Sequence, residues 1–349
     1  MSSFQQNSKK TITGHAALRS ALRDTLTYSS DLQGDADVRD YRQLPLEVDP
    51  PRHHLYRSAL SQFFVKPAIE KHADMFRTNT QRLLRSYFSA EPKDVISHLT
   101  LPLVLHNLGV IYNRPQDVEE WISWGPDVWK AQSEHRDGTV LHRYIDNVYE
   151  QACKEGTNDI YGEIALLEIE GKRITPIEFR GIVGVLLAGG RDTVVKLLTG
   201  MMWHFAVSED MSRVRSGEIP INSAIQEFLR FLTPLPVMNR TTTPESVASV
   251  LPEDRYVAMS FISGNFDESV FEDPFSLNLN RGRNPHLSFG FGPHTCLGNH
   301  IAEVEARIFL ESLRDSKLNW IVETEEIIFH PAPFDQVPDH FGSLKMVLR

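Results

Sequence analysis

Residues 289–298 read Phe289-Gly290-Phe291-Gly292-Pro293-His294-Thr295-Cys296-Leu297-Gly298, and a helical pattern follows from about Asn299. Two glycines let the backbone turn tightly against a flat object. One cysteine comes next, ahead of the helix. A thiolate at a helix N-terminus is stabilised by the helix dipole and by free backbone N–H groups. The chain has only one other cysteine, Cys153. That excludes a disulfide scaffold and any zinc or iron–sulfur site built from four cysteines.

A lone thiolate with no second cysteine nearby suits an axial haem ligand better than zinc. His294, two residues earlier, can donate to a negative group such as a haem propionate. Further upstream, Thr175-Pro176-Ile177-Glu178 reads as a helix start with a capping box. The pattern then runs to about Val207, which at ~1.5 Å per residue makes one helix about 50 Å long. It is apolar on almost every side around Val183–Ala188, so it should cross the centre of the protein. Midway stands Ala188-Gly189-Gly190-Arg191-Asp192-Thr193. Each glycine there costs about 1 kcal/mol against alanine. A flat cofactor or a groove for a small ligand would require them. Asp192 beside Thr193 can hold water and relay protons.

Glu227-Phe228-Leu229-Arg230 sets an acid and a base one helical turn apart among Ile225, Phe231 and Leu232. A buried pair is expected, with a structural rather than a catalytic role. In Asp49-Pro50-Pro51-Arg52-His53-His54-Leu55-Tyr56-Arg57, His53 and Arg57 are four apart and share a helix face.

In this order, and over nearly the whole chain from about His15, these segments resemble the cytochrome P450 family. Residues 289–298 are similar to its haem-binding loop, and 188–193 to its oxygen-activating helix. The resemblance implies haem b with its iron held by Cys296. It assigns propionate binding to His294, Arg240, His53 and Arg57, and loop contacts with the haem to Phe289, Gly290 and Gly298. Thr193 and Asp192 become the catalytic acid–alcohol pair. Val185, Ala188 and Gly189 should face the substrate, joined by Leu235, Val237 and Met238.

The implied activity is a bacterial-type monooxygenase that inserts one oxygen atom from O2 into a substrate C–H bond. The outcome is hydroxylation, or O-dealkylation where the carbon bears an ether oxygen. Electrons would come from NAD(P)H through a ferredoxin reductase and a small acidic ferredoxin. The chain has no flavin fingerprint and too few cysteines for its own cluster. Arg52, Lys66 and Arg283 would steer that partner. Two alternatives stand beside this reading. One is a peroxide-driven enzyme of the same fold, against which the acid–alcohol pair argues. The other is a non-catalytic haem protein.

Departures from the family pattern carry their own expectations. Ser276 stands where an arginine often joins the Glu/Arg pair, which puts the stability of residues 271–277 in doubt. Phe266 likewise replaces a common arginine. The family's helix and strand pair before His15 are missing, so the small sheet should be incomplete or the access channel more open. The loop Asp31–Gln43 carries Asp31, Asp35, Asp37, Arg39, Asp40 and Arg42. Such a loop over the site favours a substrate with hydroxyls or charge over a terpene or alkane.

The chain has 349 residues, with 46 acidic against 36 basic side chains and a formal net charge of −10. So acidic a chain is a poor candidate for nucleic-acid or anionic-membrane binding. The polar N-terminus is no signal peptide, and the longest apolar run, Ile182–Gly190, is far short of a membrane span. Few cysteines suit a reducing cytoplasm. Helical periodicity covers His15–Thr27, Arg52–Phe64, Lys66–Tyr87, Leu101–Tyr112, Val118–Trp129 and Leu141–Lys154. Short β-type runs occupy about 241–285, including VASVL, and about 318–349. There is no repeating βαβ order. The expected fold is mainly α with a smaller β-rich part. It is a single P450-like triangular domain over 1–349, with a helix-rich bulk at about 50–240 and 296–315. The haem would lie between the long central helix and the cysteine loop.

Overall fold

The computed structural model describes residues 10–31, 41–88, 91–125, 128, 139–156, 158–242 and 256–349. In chain order the elements are β1 (Lys10–Ile12), α1 (His15–Ala21), β2 (Tyr28–Ser29), α2 (Arg52–Ser61), α3 (Lys66–Glu70), α4 (Ala73–Phe88), α5 (Leu101–Ile111), α6 (Val118–Ser123), α7 (Thr139–Glu155) and α8 (Ile160–Ala165). Then come β3 (Glu168–Ile169), β4 (Lys172–Arg173), α9 (Pro176–Gly189), α10 (Asp192–Val207), α11 (Asp210–Ser216), α12 (Ile221–Leu232), β5 (Val237–Thr242), β6 (Tyr256–Ser260), α13 (Phe261–Asn265), α14 (Asn299–Ser316), β7 (Trp320–Phe329) and β8 (Pro338–Leu348).

The fold is the expected helix-rich one with small sheets. The capping box at the start of α9 is formed: Thr175 Oγ1 accepts from the Glu178 N–H at 3.2 Å, and Glu178 Oε2 accepts from the Thr175 N–H at 2.8 Å. The single long helix to Val207 is corrected to two. α9 ends at Gly189 and α10 begins at Asp192, with Arg191 at φ −97° and ψ −74° between them. Consecutive glycines weaken the ladder there, and the Thr193 hydroxyl donates to the Gly189 carbonyl at 3.2 Å. The periodic run Lys66–Tyr87 is also broken, into α3 and α4.

α10 is the centre of the main core. It packs against α5, α12, α14 and the β7–β8 hairpin, with Leu197, Leu198, Met201 and Met202 buried. Burying such side chains is worth roughly 1.5–3 kcal/mol each.

β1, β6, β5 and β2 form one four-stranded sheet in that order, β1 parallel to β6 and the others antiparallel. The strand Lys10–Ile12 precedes His15 and pairs with β6, which corrects the expectation that this part of the sheet lacks such a strand. Only β5 and β6 are strands among the described residues of 241–285; α13 and irregular backbone take the rest. VASVL lies outside the described residues, as does most of the Asp31–Gln43 loop. The tail is one antiparallel hairpin, β7–β8.

Candidate active site

The cysteine loop is shaped by its glycines. Gly290 and Gly292 lie at φ +67° and +76°, the region that favours glycine. A Cβ on Gly292 would stand 2.8 Å from the Leu22 carbonyl oxygen, so α1 braces the loop from behind. The Cys296 N–H donates to the Phe289 carbonyl at 2.8 Å and closes the turn. Cys296 is exposed in area yet ringed by protein, and that burial pushes its thiol upward. The Gly298 N–H and the Arg57 charge act in the opposite direction.

His53 on α2 and His294 on the loop meet with ring centroids 4.2 Å apart. Both nitrogens of His53 and Nε2 of His294 are buried without a hydrogen-bond partner. Burial, with nearby positive charge, pushes His53 down to about 4 and His294 to about 3. Both imidazoles are therefore neutral. Arg240 on β5 is buried and pushed down to about 10 by desolvation. Its Nη1 donates only to the Asn239 carbonyl, at 3.0 Å. Arg57 is half-buried. Among the described residues no carboxylate pairs with either guanidinium. Two cations and two neutral imidazoles thus stand beside the thiol, short of partners. Such a set is costly unless something anionic completes it.

Upstream in sequence stands the α9–α10 junction. Gly189 is exposed, and a Cβ there would meet nothing within 4 Å. Gly190 is different: its Cβ would press on Leu108 at 3.2 Å. Asp192 is exposed and ion-paired to its neighbour Arg191. Val185, Ala188, Leu235, Val237 and Met238 are all partly accessible. Leu235 and Met238 also pack on the core beside α1.

The Glu227–Arg230 pair is fully buried, with Arg230 Nη2 donating to Glu227 Oε1 at 2.8 Å. The doubt raised by Ser276 is corrected here. Arg281, five residues on, donates from Nε to Glu227 Oε2 at 2.9 Å, and from its Nη atoms to the carbonyls of Glu272, Asp273 and Ser276. Asn284 Nδ2 adds a further bond to Glu227 at 2.9 Å. Arg281 and Asn284 were missed because no fixed spacing ties them to Glu227. Phe266 packs with Phe231, Phe275 and Phe334 in a small apolar cluster of its own. Arg52, expected on the partner face, is exposed and donates to Tyr56 and Glu178.

The donor set fits a haem. A soft sulfur ligand sits on a glycine-shaped loop, imidazoles with unsatisfied nitrogens and guanidiniums that no carboxylate pairs stand ready for two carboxylates, and an open glycine ends α9 three residues before Asp192. Among the described residues no cluster of His, Cys, Asp and Glu could hold a free metal ion, and no helix is long and apolar enough to cross a membrane.

Comparison with known proteins agrees with this reading. The Cytochrome P450 family model matches residues 220–314. The cyclomarin C epoxidase CymV of Salinispora arenicola is 30% identical over 287 residues, 77% of this chain and 72% of that one. A steroid C26-monooxygenase of Mycolicibacterium smegmatis is 27% identical, over 76% of this chain and 70% of its own. A solved structure described as a carbohydrate active P450 superposes with a TM-score of 0.86 at 26% identity, covering 97% of this chain and 92% of that one. The chain belongs to the cytochrome P450 family and is a haem-binding P450 monooxygenase.

Proposed function

We propose that this monooxygenase oxidises a C–H bond in a hydroxyl-bearing small molecule, by hydroxylation or, next to an ether oxygen, by O-dealkylation. The observation that carries the site assignment is the convergence of Cys296 with His53 and His294, whose buried nitrogens bond to nothing, and with Arg57 and Arg240, which no carboxylate pairs among the described residues. Cys296 would hold the haem iron in this reading. His53, His294, Arg57 and Arg240 would hold the anionic edge of the cofactor, and Phe289, Gly290 and Gly298 would shape the loop that carries Cys296. Bound there, haem supplies the redox centre at which O2 is activated.

The rest falls to this chain's own groups. Thr193 Oγ1, held by the Gly189 carbonyl, keeps a hydroxyl at the helix break. Asp192, exposed on the preceding residue, brings protons in from solvent. Val185, Ala188 and Gly189, with Leu235, Val237 and Met238, line the substrate space.

Electrons arrive from NAD(P)H through a ferredoxin reductase and an acidic ferredoxin, in the cytoplasm. Lys66 and Arg283 are exposed. Arg19 and Arg23 flank the loop residue Phe291 at 4.2 and 4.6 Å from its ring centre, which adds positive charge behind Cys296. Reduction that is indifferent to ionic strength would argue against such steering.

Support for a hydroxyl-bearing substrate comes from the similarity to the carbohydrate active P450 over 92% of its length. It comes too from the polar loop Asp31–Gln43, whose described ends join through the Arg42–Asp31 ion pair at 2.9 Å. The test has two steps. Dithionite-reduced protein under carbon monoxide should give the red-shifted Soret band of thiolate ligation. Then O-methylated sugars should couple NADH use to product through a ferredoxin system. No band overturns the haem assignment; coupling with apolar compounds alone overturns the substrate class.

A further inference from the structure

A lone charge stands on the apolar central helix α10, in Val194-Val195-Lys196-Leu197-Leu198. Thr193 and Lys196 are three apart on α10, which sets them along one helix face. Accessible positions on α9 and α10 run from Val185 to Thr193, then include Lys196, and none follows before Trp203. Lys196 therefore closes the accessible stripe that passes Thr193, about one turn further along.

Its side chain is oriented unusually. The residue is partly accessible, but the Nζ amine is buried and has no hydrogen-bond partner. This is the reverse of a lysine that keeps its head in water. The charge that acts on the amine is that of Asp339 on β8. Asp339 pairs with His330 Nε2 at 3.4 Å, too long for a strong hydrogen bond. His330 closes the hairpin between β7 and β8, its N–H donating to the Val337 carbonyl at 3.0 Å. Lys196 Nζ and His330 Nε2 are thus both buried without a hydrogen bond, and the partly exposed Asp339 carboxylate acts on both. Burial pushes Lys196 down to about 8, and Asp339 holds it up. Below that value the amine is charged and balances Asp339.

We infer that Lys196, Asp339 and His330 form a subsite for a neutral, hydroxyl-bearing part of the substrate, one helical turn from Thr193. The ammonium donates, the carboxylate accepts from a hydroxyl, and the imidazole can do either. Adjacent hydroxyls on one ring present that mixture. The trio carries no net charge, so a carboxylate or sulfate gains nothing over a hydroxyl and meets Asp339. The subsite rests on the substrate class proposed above and says where on the protein that class is held.

The experiment uses the full-length haem-loaded protein and a panel of mono-O-methyl ethers of methyl hexopyranosides, with progesterone as the apolar probe. Calorimetry gives the dissociation constants, and the Soret spin-state shift gives an independent reading. Lys196→Met keeps the length of the side chain and removes an unpaired buried amine, so it should fold at least as well as the parent. Sugar binding should weaken roughly 10- to 100-fold in Lys196→Met and about tenfold in Asp339→Asn. Progesterone should bind all three proteins alike. Unchanged sugar affinity in both variants overturns the subsite and leaves the substrate class standing. Progesterone binding with no sugar binding in the parent overturns the class itself. Lys196-dependent preference for the methyl glucuronate analogue overturns the neutral assignment. Should Lys196→Met fail to take up haem, Asp339→Asn alone decides.

Discussion

Two buried polar clusters adjoin the cysteine loop, and they are built in opposite ways. Around Glu227 each carboxylate oxygen is engaged: Oε1 by Arg230 and the Asn278 N–H, and Oε2 by Arg230, Arg281 and Asn284. Arg230 is equally committed, donating to the carbonyls of Asn265, Pro274 and Ser276. Asn265 continues the network through the Leu287 N–H and the Ser288 hydroxyl, which delivers it to the residue before Phe289. Around the buried His53 and the half-buried His294, by contrast, imidazole nitrogens shut off from solvent bond to nothing. A closed network fixes backbone; an open one awaits a ligand. The difference separates residues that hold the loop in shape from residues that the loop holds ready.

The largest effect expected is at the junction of the two clusters. Cys296→Ser should abolish the red-shifted carbon monoxide band altogether while leaving both clusters intact. A variant that kept the band would place the ligand elsewhere and remove the open cluster's reason to exist.

Next comes the closed network. Glu227→Gln leaves Arg230 and Arg281 buried near a neutral amide, and breaking a buried pair in this way costs roughly 3 to 5 kcal/mol. Urea or thermal unfolding of the haem-free protein measures it. Arg281→Leu should cost less, since Arg230 still holds Glu227 from both Nε and Nη2. Equal losses would mean that Arg281, not Arg230, carries the network.

How much of this could be read in advance follows from locality. The cysteine loop, the capping box and the Glu227–Arg230 pair are set by residues within a few positions of one another, and all three were visible in the sequence. The break at Gly190 was half visible. Paired glycines signalled a requirement, but the close approach of Leu108 to Gly190 belongs to α5, about 80 residues earlier. Arg281 was hidden for the same reason, since it reaches Glu227 across 54 positions. The absence of an arginine at 276 was legible, and its compensation was not. Lys196 was passed over in the sequence, because its relation to Asp339 exists only once the hairpin packs on α10.

Glu305 on α14 sharpens the comparison, because both its oxygens are buried with only Asn107 close enough to act on them, and it lies in neither cluster. Desolvation pushes its carboxyl up from 4.5 to about 8, against a small opposing effect from Asn107. The sign follows. Between about pH 5 and about pH 8 the folded state keeps a proton that the unfolded state has lost, so stability falls as pH rises through this window. Glu305→Gln should remove that fall. The gain is about 1.4 kcal/mol for each pH unit, roughly 3 kcal/mol at pH 7. Melting curves of both proteins across this range should diverge and then run parallel above about pH 8. Parallel curves throughout would show that Glu305 is ionised in the fold and has a partner.

The smallest effect is the one that separates the clusters by sign. His53→Phe keeps a ring against His294 and removes two buried nitrogens that nothing satisfies. The haem-free protein should then melt no lower than the parent, with a gain of up to about 1 kcal/mol. Haem retention should move the other way, with transfer to apomyoglobin about tenfold faster, as for one lost hydrogen bond to a charged group. Glu227→Gln moves stability down; His53→Phe leaves it level or higher and loosens the cofactor. If His53→Phe destabilises the haem-free protein as much as Glu227→Gln does, the imidazole has a partner within the fold. The open cluster is then a second structural network, and the propionates need another seat.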